Sequence, residues 1–439
     1  MLMFVAPDWV RGWTKEPRGN AFWAEFVVWP LIQILLVLFI VLTVVAYLVY
    51  LERKVSAFMQ ARLGPMRVGP WGLLQPAADG LKLLLKEDIT PLKADKAVFQ
   101  IAPIISVVSA LVVLAVIPWG AAWATIANVN IGLLFVLAVS SVGVLGLVLA
   151  GWSSNSKYSL LGALRSSAQM VSYEVGMGLS IIGALMFSRT LSLTGIVEAQ
   201  QADGVWYVFF QPVGFLVYLV CALGETNRAP FDLPEAESEL VAGYHTEYSG
   251  FRWALFFMAE YTGMIVTSAI AVTLFLGGWQ FPGLNLIANK TVFAFVSVGV
   301  FAIKILILIY LYMWFRWTWP RYRYDQLMDL GWKWMIPAGL ANIVLTGVWY
   351  VLALPKSHGG VFGFMQPALK GDRLVPTKWA GIAYFVGTGF AVTIPIIWMV
   401  LASINHRTRD FNLNAQRQLQ IRLRAERLRQ PAEPVTSDQ

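Results

Sequence analysis

A dense cluster of carboxylates lies between two apolar segments of the chain, in the stretch GETNRAPFDLPEAESELVAGYHTEYSGF at 224–251. Six acidic residues occur in it: Glu225, Asp232, Glu235, Glu237, Glu239 and Glu247. Arg228 is the only arginine or lysine inside this acidic stretch, and Arg252 follows directly after it. Ionisable groups beside membrane helices are costly to desolvate, so they usually serve a proton, an ion or a polar substrate. The stretch therefore predicts proton or ion chemistry.

Two further carboxylates fall inside apolar segments that neighbour the acidic stretch. Glu174 and Glu260 lie about eight and about seven residues from one end of their segments, which places them about 12 Å and about 10 Å deep. Glu225 stands at the matching end of a third segment. Carboxylates that cluster in a partly desolvated place can exchange protons near neutral pH, so the sequence predicts a proton path.

Part of the acidic stretch has a structural interpretation. The residues from Asp232 to Glu235 have the form of a capping box with proline early in the first turn, so Asp232 is predicted to cap a short helix. Glu235 and Glu239 then share one face of that helix, where like charges destabilise it unless a partner or a shared proton compensates. For the deeper acids, the structural alternative is an ordinary ion pair or hydrogen bond with one of four side chains: Arg165, Arg228, Tyr173 or Tyr261.

The composition is that of a membrane protein. Of the 439 residues, 58% are hydrophobic and 13% are charged, with a mean hydropathy of +0.63. A soluble domain carries about 25% charged residues. The apolar runs are continuous rather than alternating, and each is long enough to cross the bilayer as a helix. The predicted fold is an all-α polytopic membrane protein with about nine transmembrane helices: 23–51, 98–119, 131–151, 166–187, 205–224, 253–277, 291–315, 334–354 and 379–402.

Lysine and arginine residues set the predicted orientation. The loops 52–97, 152–165, 225–252 and 316–333 and the C-terminal tail carry 23 of them, against nine on the opposite side. By the positive-inside rule the first side is cytoplasmic, with the N-terminus outside. Charged residues precede the first apolar run, so no cleavable signal peptide is predicted. The predicted divisions are a periplasmic segment, a single transmembrane domain and a basic cytoplasmic tail: 1–22, 23–404 and 405–439.

The loop after the first helix is predicted to contain an amphipathic surface helix over 71–86. Gln75, Asp79, Lys82 and Lys86 fall on one stripe of it, with leucines largely elsewhere. This pattern is typical of a helix that lies on the membrane surface or against a partner. A plain lipid anchor is the alternative, although an acidic residue such as Asp79 fits it poorly.

Basic residues near lipid form a second group of candidates. Arg316 begins the segment RWTWPRYRYDQLMDLGWKW at 316–334. Its cations are predicted either to snorkel to the interface or to face the acidic stretch across a cavity. Lys304 lies about midway along the seventh predicted helix, where it should pair with a carboxylate or face water, and is a further candidate.

Ligands for a redox centre are scarce in this chain. It has one cysteine, Cys221, and three widely separated histidines, His245, His358 and His406. Iron–sulfur clusters need several thiolates, and haem needs an axial ligand in a defined pocket. No glycine-rich phosphate loop is present. We therefore expect this chain to bind no metal, nucleotide or redox cofactor, and to receive any electrons from another subunit.

Several long motifs resemble one known family: the H subunit of bacterial NADH–quinone oxidoreductase, or respiratory complex I, called subunit 1 in mitochondria. The two most specific motifs are GLLQPAADGLKLLLKE at 72–87 and PFDLPEAESELVAG at 230–243. The resemblance spans about residues 25–400. Further matching motifs occur in the same order: ERK at 52–54, ARLGPMRVGP at 61–70, GWSSNSKYSLLGALRSSAQMVSYE at 151–174, HTEYSGF at 245–251, AEY at 259–261 and PRYRYDQLM at 320–328.

The resemblance implies a subunit where the redox arm meets the membrane arm of a proton-pumping enzyme, in the bacterial inner membrane. It implies quinone as substrate, FMN and iron–sulfur clusters in partner subunits, and complex I subunits and lipid as neighbours, with no nucleic acid. The residues that it assigns to a quinone tunnel are Glu52, Arg53, Asp79, Arg228 and Arg316. The residues that it assigns to an acidic path coupling quinone reduction to proton translocation are Glu174, Glu225, Glu235, Glu237, Glu239 and Glu260.

Some features depart from that family, and two other functions stay open. Some members carry a carboxylate in the third helix where this chain has Ser141, which leaves the start of the proton path open. The tail and the 355–378 connector are longer than in a minimal member. One alternative is the membrane anchor of a related hydrogenase or formate hydrogenlyase-like complex, which the intact tunnel motifs disfavour. The other is a stand-alone cation transporter, which predicts internal repeats that are not evident.

Overall fold

The structure is a computed structural model that describes most of the chain. The chain divides into two compact units, Met1–Gly389 and Phe390–Gln439. Nearly all described residues belong to the first unit. The described residues are 28–121, 124–232, 241–281, 289–353, 365–367, 374–376, 382–387, 389–391 and 393–394.

The first unit is built mainly from α-helices. Short 3-10 turns occur at Pro70–Gly72 and Gly243–His245, and a π-helical turn at Gly331–Met335 joins the helices Tyr324–Leu330 and Ile336–Ala353. The helices are, in chain order: α1 Trp29–Met59, α2 Gln75–Leu85, α3 Lys96–Val113, α4 Gly132–Ser153, α5 Lys157–Ser188, α6 Leu193–Asp203, α7 Tyr207–Phe210, α8 Pro212–Glu225, α9 Gly250–Phe275, α10 Lys290–Thr318, α11 Tyr324–Leu330 and α12 Ile336–Ala353.

Within the described part of the chain, seven helical stretches are long and apolar enough to cross a membrane. They are α1, α3, α4, α5, α9, α10 and the continuous run of α11 and α12. The predicted class, a polytopic all-α membrane protein, is confirmed. The count of nine and the orientation stay predictions. Helix α8 has 14 residues, fewer than the about 20 that span a bilayer, and much of the ninth predicted segment lies outside the described residues.

Three differences between the predicted and observed helix boundaries affect the candidate residues or divide a predicted helix. Helix α1 continues to Met59, so Glu52 and Arg53 lie on this helix rather than in a loop. Helix α5 begins at Lys157, well before its apolar run, so Glu174 lies near its middle. The predicted helix at 205–224 is two helices, because Pro212 is accommodated in a first helical turn but not in a helix interior.

A small antiparallel ladder lies in the connector between 355 and 378. Its strands are β1 Met365–Pro367 and β2 Leu374–Pro376, with Gln366 opposite Val375. Each strand has three residues, too few to produce a recognisable alternation of polar and apolar side chains. Such short strands leave no pattern in the sequence that predicts the ladder.

Helix α5 packs against α4, α8 and α12 through small residues. A Cβ added at Gly176 would come within 2.9 Å of the Cys221 sulfur, and one added at Gly151 would lie 2.2 Å from the Ala163 Cβ. Close backbone approach lets helices associate by van der Waals contact, which matters where lipid removes the hydrophobic driving force. Helix α9 is the most enclosed of the seven, with 67% of its apolar window buried.

Candidate functional site

Glu52 is the centre of a buried ion-pair cluster. It lies on α1 with only 7% of its surface exposed. Arg316, near the end of α10, pairs with its Oε1, and the Tyr261 hydroxyl on α9 donates to its Oε2 at 2.6 Å. Arg228, in the turn after α8, donates from Nη1 at 3.4 Å. Groups from three other elements thus compensate one carboxylate, as a buried charge requires.

Arg228 bridges Glu52 and Glu260. Its Nε lies 2.5 Å from Glu260 Oε1, and its guanidinium carbon lies 4.1 Å from the centre of the Tyr261 ring. A guanidinium group can serve two carboxylates because its donors form a planar fork, and its face can stack on an aromatic ring. With Arg316, the cluster contains two bases and two acids, so its formal charges balance. An ordinary ion pair with Arg228 was the structural alternative to a proton path for the deeper acids, and Glu260 makes this pair.

Arg53 and Asp79 form a second ion pair that joins α1 to α2. Arg53 Nη1 lies 2.7 Å from Asp79 Oδ2, and Gln75 donates to Oδ1 at 3.0 Å. The pair explains why an acid occurs on the amphipathic helix, whose leucines Leu84 and Leu85 are exposed. Because the Arg53 side chain is 48% exposed, this pair is more open than the Glu52 cluster.

A cavity of about 110 Å³ lies between α3, α4, α8 and α9. Glu225 and Glu260 both line it. The other polar side chains that line it carry hydroxyls, except for one amide: Ser106, Ser109, Ser140, Thr226, Asn227, Tyr244 and Thr267. One water needs a cavity of at least about 10–15 Å³ and two to four polar partners. The cavity therefore has the space and the hydrogen-bonding groups for a short chain of waters between two carboxylates.

Glu174 joins this acidic group from α5. Ser141 on α4 donates a hydrogen bond to Glu174 Oε1, and the adjacent Ser140 lines the cavity. Glu174 also interacts electrostatically with Glu225. The three acids predicted to lie at similar depth are therefore neighbours in the structure. Ser141, noted only as a departure from the family pattern, is a direct partner of one of them.

The basic segment after α10 contacts the acidic stretch directly rather than across a cavity. Arg321 Nη2 lies 3.1 Å from Asp232 Oδ2, the Tyr322 ring stacks on Phe231 with 5.8 Å between centres, and the Tyr322 N–H donates to the Pro230 carbonyl at 3.2 Å. The helix that Asp232 is predicted to cap lies outside the described residues. So do three acids of the predicted path, whose roles stay predictions: Glu235, Glu237 and Glu239.

Comparison with known proteins decides the family. A family model described as NADH dehydrogenase matches residues 32–347. The NADH-quinone oxidoreductase H subunit 1 of Geobacter sulfurreducens is 52% identical over 340 residues, which cover 72% of this chain and 93% of that protein. This chain belongs to the family of NADH-quinone oxidoreductase H subunits. The H subunit 2 of Koribacter versatilis is 49% identical, covering 75% of this chain and 99% of that protein. The H subunit of Rhodospirillum rubrum is 50% identical, with coverages of 74% and 96%.

Membership in the H-subunit family confirms the resemblance drawn from the motifs. The chain is thus a subunit of an oxidoreductase complex. The five residues that the family resemblance assigned to the tunnel fall into two contact groups: Glu52 with Arg228 and Arg316, and Arg53 with Asp79. Over the described ranges, no three His, Cys, Asp or Glu side chains are placed to hold a metal ion.

Lys304 caps a helix in this family member. Its ammonium donates to the carbonyls of Leu276, Gly278 and Gln280 at 2.6, 2.9 and 2.6 Å, and it lies 4.5 Å from the centre of the Trp206 ring. The prediction of a carboxylate partner is wrong, because the ammonium donates to these three carbonyls beyond the end of α9. A cation at this position also complements the negative end of the helix dipole.

Replacing Lys304 with methionine is expected to destabilise this subunit by about 2–4 kcal/mol, because three charge-assisted hydrogen bonds are lost. The thermal unfolding midpoint of the purified complex measures the effect, and replacement of the exposed Lys93 with methionine is the control. The rate of quinone reduction per folded complex should stay unchanged. An unchanged midpoint with a lowered rate would instead place Lys304 in the functional site.

Tyr261 is the contact that reasoning from the sequence of this oxidoreductase subunit missed. It directly follows Glu260, so the sequence indicated it only as a donor to a nearby deep acid. In the structure its hydroxyl bonds to Glu52, which lies 209 residues earlier in the chain. The sequence signal for Tyr261 is that it stands next to an acid within a membrane helix. The sequence does not show that its partner is Glu52, because this contact depends on how α1 packs on α9.

Proposed function

We propose that this subunit forms the access tunnel for a quinone and the acidic path that couples quinone reduction to proton translocation. It would do so within a proton-pumping NADH–quinone oxidoreductase of the bacterial inner membrane. The observation that carries the proposal is the position of Arg228. It contacts both Glu52, at the centre of the buried cluster, and Glu260, which lines the acidic cavity. Coupling requires such a link between two sites.

The chemistry of the Glu52 cluster suits a quinone headgroup. The two carbonyl oxygens of a quinone accept hydrogen bonds, and Arg228, Arg316 and Tyr261 carry donors. Two aromatic rings lie beside these arginines and could stack on the flat ring of the substrate. The Phe257 ring centre is 5.6 Å from the guanidinium carbon of Arg228, and the Trp317 ring centre is 5.9 Å from that of Arg316. Reduction to the quinol consumes two electrons and two protons. Partner subunits that hold FMN and iron–sulfur clusters would supply these electrons from NADH.

Coupling between the Glu52 cluster and the acidic cavity depends on the charge of Arg228, which pairs with both Glu52 and Glu260. When quinone reduction changes the charge beside Glu52, the attraction between Arg228 and Glu52 changes, and its pairing with Glu260 responds. A guanidinium shared by two buried carboxylates is sensitive to the charge of each, because the low dielectric strengthens both interactions. The change then passes through the cavity to Glu225 and on to Glu174. Glu235, Glu237 and Glu239 are assigned to the entrance of this path.

Purification of the tagged chain from its own membranes tests the proposed function. We expect subunits with flavin and iron–sulfur clusters to co-purify, and the complex to catalyse NADH-dependent, inhibitor-sensitive quinone reduction with proton uptake into vesicles. Hydrogen evolution without quinone reduction would favour the membrane anchor of a hydrogenase or formate hydrogenlyase-like complex. Cation flux through the chain alone would favour the transporter.

A further inference from the structure

Gln169, on α5, holds the turn that follows α8. The side chain is completely buried. Its amide nitrogen donates to the Gly224 carbonyl at 2.8 Å and to the Phe231 carbonyl at 2.9 Å, and it lies 3.2 Å from Asn227 Oδ1. One amide group therefore contacts the beginning, the middle and the end of the same turn.

The backbone of this turn depends on donors from outside. Gly224 belongs to the last turn of α8, where carbonyls have no partner within the helix. Asn227 has a φ of 49°, a left-handed conformation that asparagine tolerates but that interrupts regular hydrogen bonding. Because buried carbonyls need a donor, the Gln169 amide compensates for the end of the helix at the point where the chain changes direction.

The turn carries two of the residues on which coupling depends. Glu225 directly follows Gly224 and lines the cavity, and Arg228 directly follows Asn227 and bridges the two buried carboxylates. The base of the turn packs closely on α5, because a Cβ added at Gly224 would lie 2.6 Å from the Tyr173 ring. With this base in place, the contacts of Gln169 set the spacing between Glu225 and Arg228.

We infer that Gln169 is a positioning residue for coupling, which sets the geometry between Glu225 and Arg228 without contacting the quinone or carrying a proton. The inference rests on the proposed function, since it gives Gln169 a role in turnover only if those two residues act together. The chain offers a matched control in Gln200. That glutamine is also buried, and its amide nitrogen donates to the carbonyls of Thr273 and Leu274 at 2.9 and 3.2 Å, at the opposite end of α9 from the acids.

Gln169→Met tests the inference, because methionine has a similar length and no donor. In the assembled complex, we expect the rate of NADH-dependent quinone reduction to fall at least about tenfold, since displacements of about 1 Å at a reacting site can cost up to about 100-fold. We also expect the pH profile of that rate to shift. Gln200→Met should lower thermal stability by a comparable amount with an unchanged rate per complex and an unchanged pH profile. Equal behaviour of the two variants would overturn the inference.

Gln169→Glu adds a second readout. The ionised carboxylate would face three oxygen acceptors without a proton to donate, whereas the protonated form can donate one hydrogen bond. The rate per complex should therefore recover as the pH falls, a trend that Gln169→Met lacks. A pH profile equal to that of the unmodified complex would overturn the inference, as would failure of both 169 variants to assemble while Gln200→Met assembles.

The same membranes separate failure of the inference from failure of the proposed function. Glu225→Gln and Arg228→Leu are measured beside the Gln169 variants. If both leave coupled quinone reduction unchanged, the proposed function itself fails. If both impair it while the Gln169 variants behave like the unmodified complex, only the positioning role fails.

Discussion

We expect that replacing Arg228 with leucine will lower the rate of NADH-dependent quinone reduction by about 100-fold. Arg228 compensates two buried carboxylates, Glu52 and Glu260, and removing one partner of a buried ion pair costs about 3–5 kcal/mol. Without Arg228 the two carboxylates lose their shared partner and shift, and a displacement of about 1 Å at a reacting site can cost about 100-fold in rate. The measurement is the steady-state rate in isolated membranes, divided by the amount of assembled complex. NADH oxidation by a soluble electron acceptor, which does not need the quinone site, should stay unchanged.

Arg252→Leu is the matched control for this prediction. Arg252 also pairs with a carboxylate, Asp88, at 2.9 Å and lies over an aromatic ring, Phe99. The Asp88 side chain is 42% exposed, and ion pairs near solvent contribute less than about 1 kcal/mol. Its loss should therefore change the rate per complex by less than about fivefold. If Arg228→Leu behaves like this control, the bridge has no part in quinone reduction.

Arg228→Lys refines the same prediction. Lysine keeps the positive charge but replaces the planar fork with a single ammonium, which cannot hold Glu52 and Glu260 in the same geometry. We expect a rate between those of the leucine variant and the unmodified complex. A rate as low as that of the leucine variant would indicate that the fork matters more than the charge.

If Glu225 carries a proton, replacing it with glutamine is expected to abolish proton translocation and to slow coupled quinone reduction by about 100-fold or more, the range expected when a positioned proton-transfer group is removed. Glutamine has the same shape but does not exchange a proton. Glu225 lines the cavity together with Glu260 and interacts with Glu174, so no other described acid occupies its place between them. The measurement is the formation of a pH gradient in vesicles that contain the purified complex, driven by NADH and quinone.

Glu247→Gln is the control for the Glu225 prediction. Glu247 belongs to the same acidic stretch but is not among the residues that line the cavity. Its replacement should leave the ratio of protons to electrons unchanged. Glu225→Asp keeps the carboxyl group on a shorter side chain and should retain part of the activity. A normal proton-to-electron ratio in Glu225→Gln would remove this residue from the path.

The deeper acids could be found from the sequence because charge inside apolar segments is rare. Glu174, Glu225 and Glu260 interrupt or end apolar runs, and all three lie in one acidic group in the structure. Glu52 illustrates the opposite case. It ends an apolar run, so the helix was predicted to stop before it. In the structure the helix continues to Met59, and Arg228 and Arg316, from elements far along the chain, compensate the charge of Glu52.

Composition and motif order are enough to establish the membrane class, the family and the set of ionisable residues near lipid, because each depends on residues close together in the chain. The partners of these ionisable residues, in contrast, depend on residues that are far apart in the chain. Glu52 pairs with Arg316 264 residues away, and Lys304 uses backbone carbonyls where a carboxylate was expected. Each acid has several cations and tyrosines within reach in principle. Only the packing of α1, α9 and α10 against the turn after α8 selects among them, because ion pairing depends on distances of a few ångströms that local sequence does not encode.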